Sequence, residues 1–267
     1  MTLARVGEIE LDFERTGSGP PLLAIMGMSG TSLSWGEPFL ERLREEHEVI
    51  VYDHRGVGSS TRLSGAVTIA QMAEDAAGLL AALEIDSADV LGISMGGMIA
   101  QELALNHPGL ARTLTLGCTY CGGEGSSLAG PEVTQRLAEA MMSGDRERAL
   151  RVGWEINVSS SYAADEEAWD AFHEIALQRA VAVPVVMAQA QACMAHDTNA
   201  RLPGLRTPTL VIHGTEDQMI PVANGSLIAE RIPDSRLEIF DDVGHLFFWE
   251  RAERAAELIG SHTAVEA

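Results

Sequence analysis

Apolar and polar positions follow two rhythms along this chain, and their succession predicts the architecture. Ile9-Glu10-Leu11-Asp12-Phe13 alternates one by one, as a half-buried edge strand does. Leu22-Leu23-Ala24-Ile25 is a continuous apolar run of the kind buried in parallel sheets. Residues 49–52, 90–91, 113–116, 209–213 and 237–240 read as further strands. Between them a 3.6-residue rhythm predicts helices over 37–46, 68–83, 95–106, 222–231 and 246–259. Thr68 opens one of these with Gln71 three residues on, a capping-box pattern, and its apolar face is Ile69, Met72, Ala73, Ala76, Leu79, Leu80 and Leu83.

From 118 to about 205 the alternation stops, and only helical segments remain: 131–142, 145–155, 165–180 and 184–195. Pro131 and Pro184 fall where a first helical turn tolerates proline, and Asp145 and Asp165 are placed to cap. Strands alternating with helices imply an α/β fold, a mostly parallel sheet of about eight strands with helices on both faces. The expected organisation is a core domain of residues 1–117 and 206–267. A helical lid subdomain, 118–205, is inserted after the sixth strand. Trp154, Trp169, Phe172, Met187, Cys193 and Met194 are candidates for the lid core or a pocket lining.

Composition narrows the chemistry. With 267 residues and 46% hydrophobic content the chain can bury one large core or a core plus an inserted subdomain. No apolar run reaches the roughly 18 residues of a membrane span, and Met1 to Ser18 lacks a signal-peptide apolar region. A cytoplasmic protein with no membrane partner, monomeric or homodimeric, is expected. A formal charge of −21 argues against nucleic acid and anionic surfaces as partners. All 18 basic residues are arginine, which removes Schiff-base chemistry, a phosphate-loop lysine and a Ser-Lys dyad together. Serine chemistry here needs a histidine. Three cysteines, an odd number, point to a reduced protein, and Cys118-Thr-Tyr-Cys121 has no second pair to complete a zinc site. Cys118 and Cys121 are expected to be small residues at a domain junction, with no metal and no cofactor required.

Gly92-Ile93-Ser94-Met95-Gly96-Gly97 lies between an apolar strand and a helix, the context of a nucleophile elbow. In open α/β sheets the ligand-contacting loops lie at the carboxyl ends of strands. Three such loops complete the set. Gly214-Thr215-Glu216-Asp217 offers an acid to orient a histidine, with Asp217 preferred and Glu216 the alternative. Asp241-Asp242-Val243-Gly244-His245 offers the histidine. Of eight, His245 alone combines a late position, a strand-end loop and a preceding glycine, whereas His213 and His54 fit packing roles inside their turns. Met26-Gly27-Met28-Ser29 offers an amide for an oxyanion, Met28 N–H, to act with the amide of Met95. Met26, Met28 and Met95 would form an adaptable apolar wall for an acyl group.

With these motifs the chain resembles an α/β-hydrolase over nearly its whole length. The resemblance rests on Met26-Gly27, the Asp53-His-Arg-Gly-Val-Gly-Ser59 loop, Gly92–Gly97, His213-Gly-Thr-Glu-Asp217 and Gly244-His245. It is greatest to the branch of 3-oxoadipate enol-lactonases and aclacinomycin-type methylesterases, where the catalytic serine, acid and histidine fall on Ser94, Asp217 and His245. The first oxyanion loop of the family begins His-Gly; here it begins Met26-Gly27, which leaves the backbone donors in place. The resemblance implies a serine hydrolase of a small or medium carboxylic ester or lactone. A cofactor-free perhydrolase or haloperoxidase-like activity and a non-catalytic ligand-binding role are the alternatives.

Overall fold

The computed structural model describes residues 2–264; residue 1 and residues 265–267, the extremes of the expected core segments, lie outside them. Eight strands form one sheet: β1 (Thr2–Val6), β2 (Ile9–Gly17), β3 (Pro21–Ile25), β4 (Glu48–Tyr52), β5 (Ala88–Ile93), β6 (Ala111–Gly117), β7 (Thr209–Gly214) and β8 (Arg236–Phe240). Their order is β1-β2-β4-β3-β5-β6-β7-β8. β2 pairs antiparallel with β1 and β4, and every other pairing is parallel. The sheet is therefore mostly parallel, as the alternation predicts. The strand over residues 9–13 is not an edge. β1, which the pattern did not reveal, lies outside it, and only Ala4 of β1 is buried, so an apolar rhythm never develops there.

Two-residue periodicity sends successive side chains of each strand into two different cores. Leu23, Ile25, Val90, Leu114, Leu116 and Val211 face α2 (Ile69–Ala82), α3 (Met95–Asn106) and α9 (Ala223–Arg231). Leu22, Ala24, Leu91, Ile93, Leu210 and Ile212 face α1 (Glu37–Arg44) and α11 (Ala252–Thr263). This is why the central strands read as unbroken apolar runs. Thr68 caps α2 as the sequence predicts, its hydroxyl accepting from Gln71 N at 3.1 Å.

Between β6 and β7 the chain forms α4 (Pro131–Met142), α5 (Arg146–Asn157), α6 (Ser160–Ala163), α7 (Glu166–Gln178) and α8 (Val183–Met194). Asp145 and Asp165 cap α5 and α7 with their carboxylates. Trp154, Val158 and Trp169 form a small third core with Phe172, completed by Trp249 from outside the insertion. Met187 and Met194 are 59% and 64% exposed, so neither joins that core; their places in the helical rhythm of α8 fall on its outer face. Cys193 is buried against the main core instead. No single helix among the described residues is long and apolar enough to cross a membrane.

The predicted closing helix over 246–259 is broken into α10 (Phe247–Glu250) and α11 by Arg251, at φ −138° and ψ 47°. The break frees Glu250 to point inward. Its carboxylate accepts from Gly244 N at 2.8 Å, Ser159 N at 2.9 Å and Ser159 Oγ at 2.5 Å.

Burial holds His54, His196 and His262 below the ordinary histidine range, His196 down to about 4. An unfolded histidine titrates near about 6.5, so below that pH the unfolded chain takes up protons that the folded chain refuses. The stability contributed by neutral His196 is present above about 6.5 and is lost as pH falls towards 4. Thermal unfolding followed by circular dichroism should show Tm dropping from pH 7.5 to pH 4.5. A His196→Asn variant should drop less over the same range.

Candidate active site

Ser94 stands at the carboxyl end of β5, where the strand turns directly into α3. Its backbone adopts φ 56° and ψ −123°, a conformation that costs an L-residue of order 1–3 kcal/mol. The cost is offset by over-determination of the turn. Ser94 N donates to Gly117 O at 2.9 Å, while Ser94 O accepts from Gly97 N, Met98 N and the Thr119 hydroxyl at 3.0, 3.2 and 2.6 Å. Glycine is required on both sides of the turn. A β-carbon on Gly92 would lie 2.3 Å from Gly96 O, and one on Gly96 only 1.9 Å from Ile25 O. The 26–30 loop also abuts the serine, since a β-carbon on Gly27 would lie 3.1 Å from Ser94 Cβ.

The amide of Met95 is the first of α3, where helical N–H groups have no intrahelical acceptor and the helix dipole is positive. Met28 lies in the loop after β3, and its N–H, like that of Met95, donates no hydrogen bond among the described residues. The methionine wall expected from the sequence is smaller than three residues. Met26 turns to the opposite core, with Trp35 and Phe39, and its carbonyl accepts from His54 Nε2 at 2.8 Å. Met28 and Met95 remain together on the other face.

After β7, Asp217 is buried and its two oxygens are divided between tasks. Oδ1 accepts from the amides of Met219 and Ile220 at 2.9 and 2.8 Å. Oδ2 lies 2.7 Å from His245 Nδ1 and 3.2 Å from His213 Nε2. Burial by itself would raise this carboxyl, but the charge of His245 and the bonds from His213 and His245 outweigh it and hold Asp217 well below the usual carboxylate range. Asp217 is thus an anion at all moderate pH. Since a carboxylate can only accept, His245 Nδ1 donates to Asp217, and Nε2 is the ring nitrogen that the acid does not engage. His213 Nε2 also lies 2.8 Å from Ile220 O, so its proton is on that nitrogen, and it packs inside the turn.

Glu216 points elsewhere: its carboxylate accepts from Ser160 N and Oγ at 2.9 and 3.1 Å. Of two neighbouring acids the sequence prefers Asp217; the backbone path after β7 turns it to the histidine and Glu216 to α6. Ser94, Asp217 and His245 follow β5, β7 and β8 at one edge of the sheet. Asp217 and His245 are directly bonded, whereas Ser94 Oγ and His245 make no hydrogen bond in this structure among the described residues. Cys118, buried at the end of β6, lies under the pair with its thiol 3.9 Å from Gly244 O. Burial pushes all three thiols up, Cys121 to about 11 and Cys193 to about 12, so none is a ready nucleophile. Sulfur, carboxylate and imidazole of Cys118, Asp217 and His245 lie within 4.8 Å of one another, the grouping closest to a metal-ligand set among the described residues.

Glu250 was not visible as part of this site in the sequence, where it reads as a helix-surface acid. It holds the amide just before His245 and, through Ser159, the segment linking α5 to α6. Glu250→Ala would leave two buried amides without an acceptor, at about 1–3 kcal/mol each before relaxation, and the Ser159 hydroxyl with only Ser161 Oγ at 3.2 Å. Urea unfolding should show a loss of roughly 2 kcal/mol or more in Glu250→Ala and a smaller one in Glu250→Gln, which keeps an acceptor.

The chain matches the alpha/beta hydrolase fold family over residues 20–252. It is 32% identical over 255 residues to the “Putative carbamate hydrolase RutD” of Azorhizobium caulinodans, with 92% of each chain covered. Among solved structures it is similar to the enol-lactonase of Burkholderia xenovorans LB400, with TM-score 0.82 and 26% identity over 98% of this chain and 99% of that one. It is also similar to a thermophilic esterase from Thermogutta terrifontis, with TM-score 0.80 and 29% identity over 97% of this chain and 96% of that one. The matched span runs from the start of β3 to the start of α11 and takes in every loop described above. By sheet order, by the turn at Ser94 and by these likenesses, the chain belongs to the alpha/beta hydrolase fold family.

Proposed function

We infer that the protein is a hydrolase of the α/β fold, as its family and relatives support. We propose that it cleaves a small or medium carboxylic ester or lactone through Ser94, His245 and Asp217. The observation that carries this reading is the 2.7 Å bond between Asp217 and His245 Nδ1, which fixes the ring so that Nε2 is the nitrogen left to act as a base towards Ser94. Closure of the Ser94–His245 contact accompanies substrate binding, as contacts of this kind commonly tighten only in the loaded enzyme.

In the first step Ser94 Oγ attacks the carbonyl carbon and His245 Nε2 takes its proton, while anionic Asp217 stabilises the imidazolium. The carbonyl oxygen becomes an oxyanion held by the amides of Met28 and Met95, both preorganised by the backbone. Collapse expels the alcohol, which receives the proton from His245, and leaves an acyl-Ser94 ester. Water, deprotonated by His245, then attacks the ester and releases the acid and free serine. In a lactone the expelled alcohol stays attached to the acid. The insertion over 118–205 acts as a lid, excluding bulk water while the acyl-enzyme forms.

Ser94→Ala should abolish turnover of p-nitrophenyl acetate while leaving the unfolding midpoint unchanged or higher, since alanine removes none of the backbone bonds of the turn. A fluorophosphonate probe should label intact protein at Ser94; labelling at Ser59 or Ser60 would refute the assignment. Asp217→Asn should lower kcat by roughly 10⁴ by presenting the wrong tautomer, whereas Glu216→Gln should cost far less. Short aryl esters and a lactone should turn over without added peroxide, and long-chain triglycerides should not. Peroxide-dependent turnover alone would favour an oxidoreductase instead.

A further inference from the structure

Gln189 lies on α8, on the side that faces the core, and is 1% exposed. Its Oε1 accepts from Ser29 N at 3.0 Å. A backbone N–H can only donate, so this contact settles the carboxamide's orientation, oxygen to Ser29 and nitrogen away from it. The two N–H donors of Nε2 are then left without a partner among the described residues. Leaving a buried donor unpaired costs more than an ordinary hydrogen bond contributes. Such a group calls for a reason.

Its position supplies one. Ser29 follows Met28 in the loop that abuts Ser94. On α8, Ala188, Ala192 and Cys193 flank Gln189 and pack into the same core as Met28 and Met95. The amide nitrogen is therefore one carboxamide's width from the loop that supplies the oxyanion donor, in apolar surroundings. We propose that Gln189 Nε2 is a substrate-recognising donor for a second, neutral oxygen, a keto or hydroxyl group, on the acyl part of the substrate. This rests on the ester-hydrolase reading above. The acyl side follows because the Met28 amide fixes the scissile carbonyl, and Gln189 is anchored to the next residue of that loop. Neutrality follows because an uncharged amide among alanines cannot offset the desolvation of a carboxylate.

The test compares p-nitrophenyl 4-oxopentanoate with p-nitrophenyl pentanoate, each kcat/KM taken relative to that ester's own alkaline hydrolysis. Unaltered enzyme should favour the keto ester by about tenfold, the worth of one hydrogen bond in a dry site. Gln189→Met, which removes the donor, should bring the ratio to about one. Gln189→Glu, which keeps an acceptor for Ser29 but replaces the donor with an oxygen, should bring it below one. The ratio is internal to each protein, so partial misfolding of a variant does not move it. A ratio near one in the unaltered enzyme, meaning that only water meets Nε2, would overturn the proposal and leave the ester reading intact. Retention of the preference in both variants would do the same. If the unaltered enzyme cleaved neither ester, the ester-hydrolase reading itself would fall, and this proposal with it.

Discussion

The turn at Ser94 brings β5, α3 and the end of β3 closer together than β-carbons allow, and the chemistry of the molecule is arranged around that closeness. Gly92 faces the Gly96 carbonyl, and Gly96 lies against the Ile25 carbonyl. A serine held at φ 56° there is strained, and the strain persists because four hydrogen bonds to its own amide and carbonyl leave the backbone no alternative. One consequence is that the hydroxyl is presented on a rigid turn. A second is that the Met95 amide falls at the positive end of α3, beside the Met28 loop.

The helical insertion is fastened to the core beside the loops of the candidate site. Glu250 joins Ser159 to Gly244, one residue before His245. Glu216, next to Asp217, holds Ser160. Gln189 holds Ser29, next to Met28. Arg179, at the end of α7, donates to Asp53 at 2.6 Å and to Asp12 at 3.4 Å, two aspartates buried in the core that would otherwise carry uncompensated charge. The insertion is thereby hydrogen-bonded beside His245, Asp217 and the Met28 loop. Charge economy is visible in the same contacts: the chain carries 39 acidic residues against 18 arginines, and acids are buried where arginine, histidine or backbone amides can meet them.

Periodicity was enough to predict seven of the eight strands and most of the helices on the two faces, because alternation along a strand is a local property that burial imposes directly on residue choice. Leu22 and Ala24 go to one core and Leu23 and Ile25 to the other, as any extended strand between two layers must send them. The elbow, the capping box at Thr68 and the caps at Asp145 and Asp165 were legible for the same reason: each is a contact between near neighbours. What only the tertiary structure decided are contacts between distant residues. Asp217 meets His245 across 28 positions while Glu216 does not; Glu250 meets Ser159 across 91, and Gln189 meets Ser29 across 160. A polar side chain written in a helical rhythm looks the same whether it faces water or a buried amide. β1 stayed hidden because a mostly exposed edge strand imposes no rhythm, and the break at Arg251 because only the inward turn of Glu250 requires it. Met26 and Met28 went to opposite cores, in a loop that packs against Ser94 and accepts from His54, and neither contact is written in the local sequence.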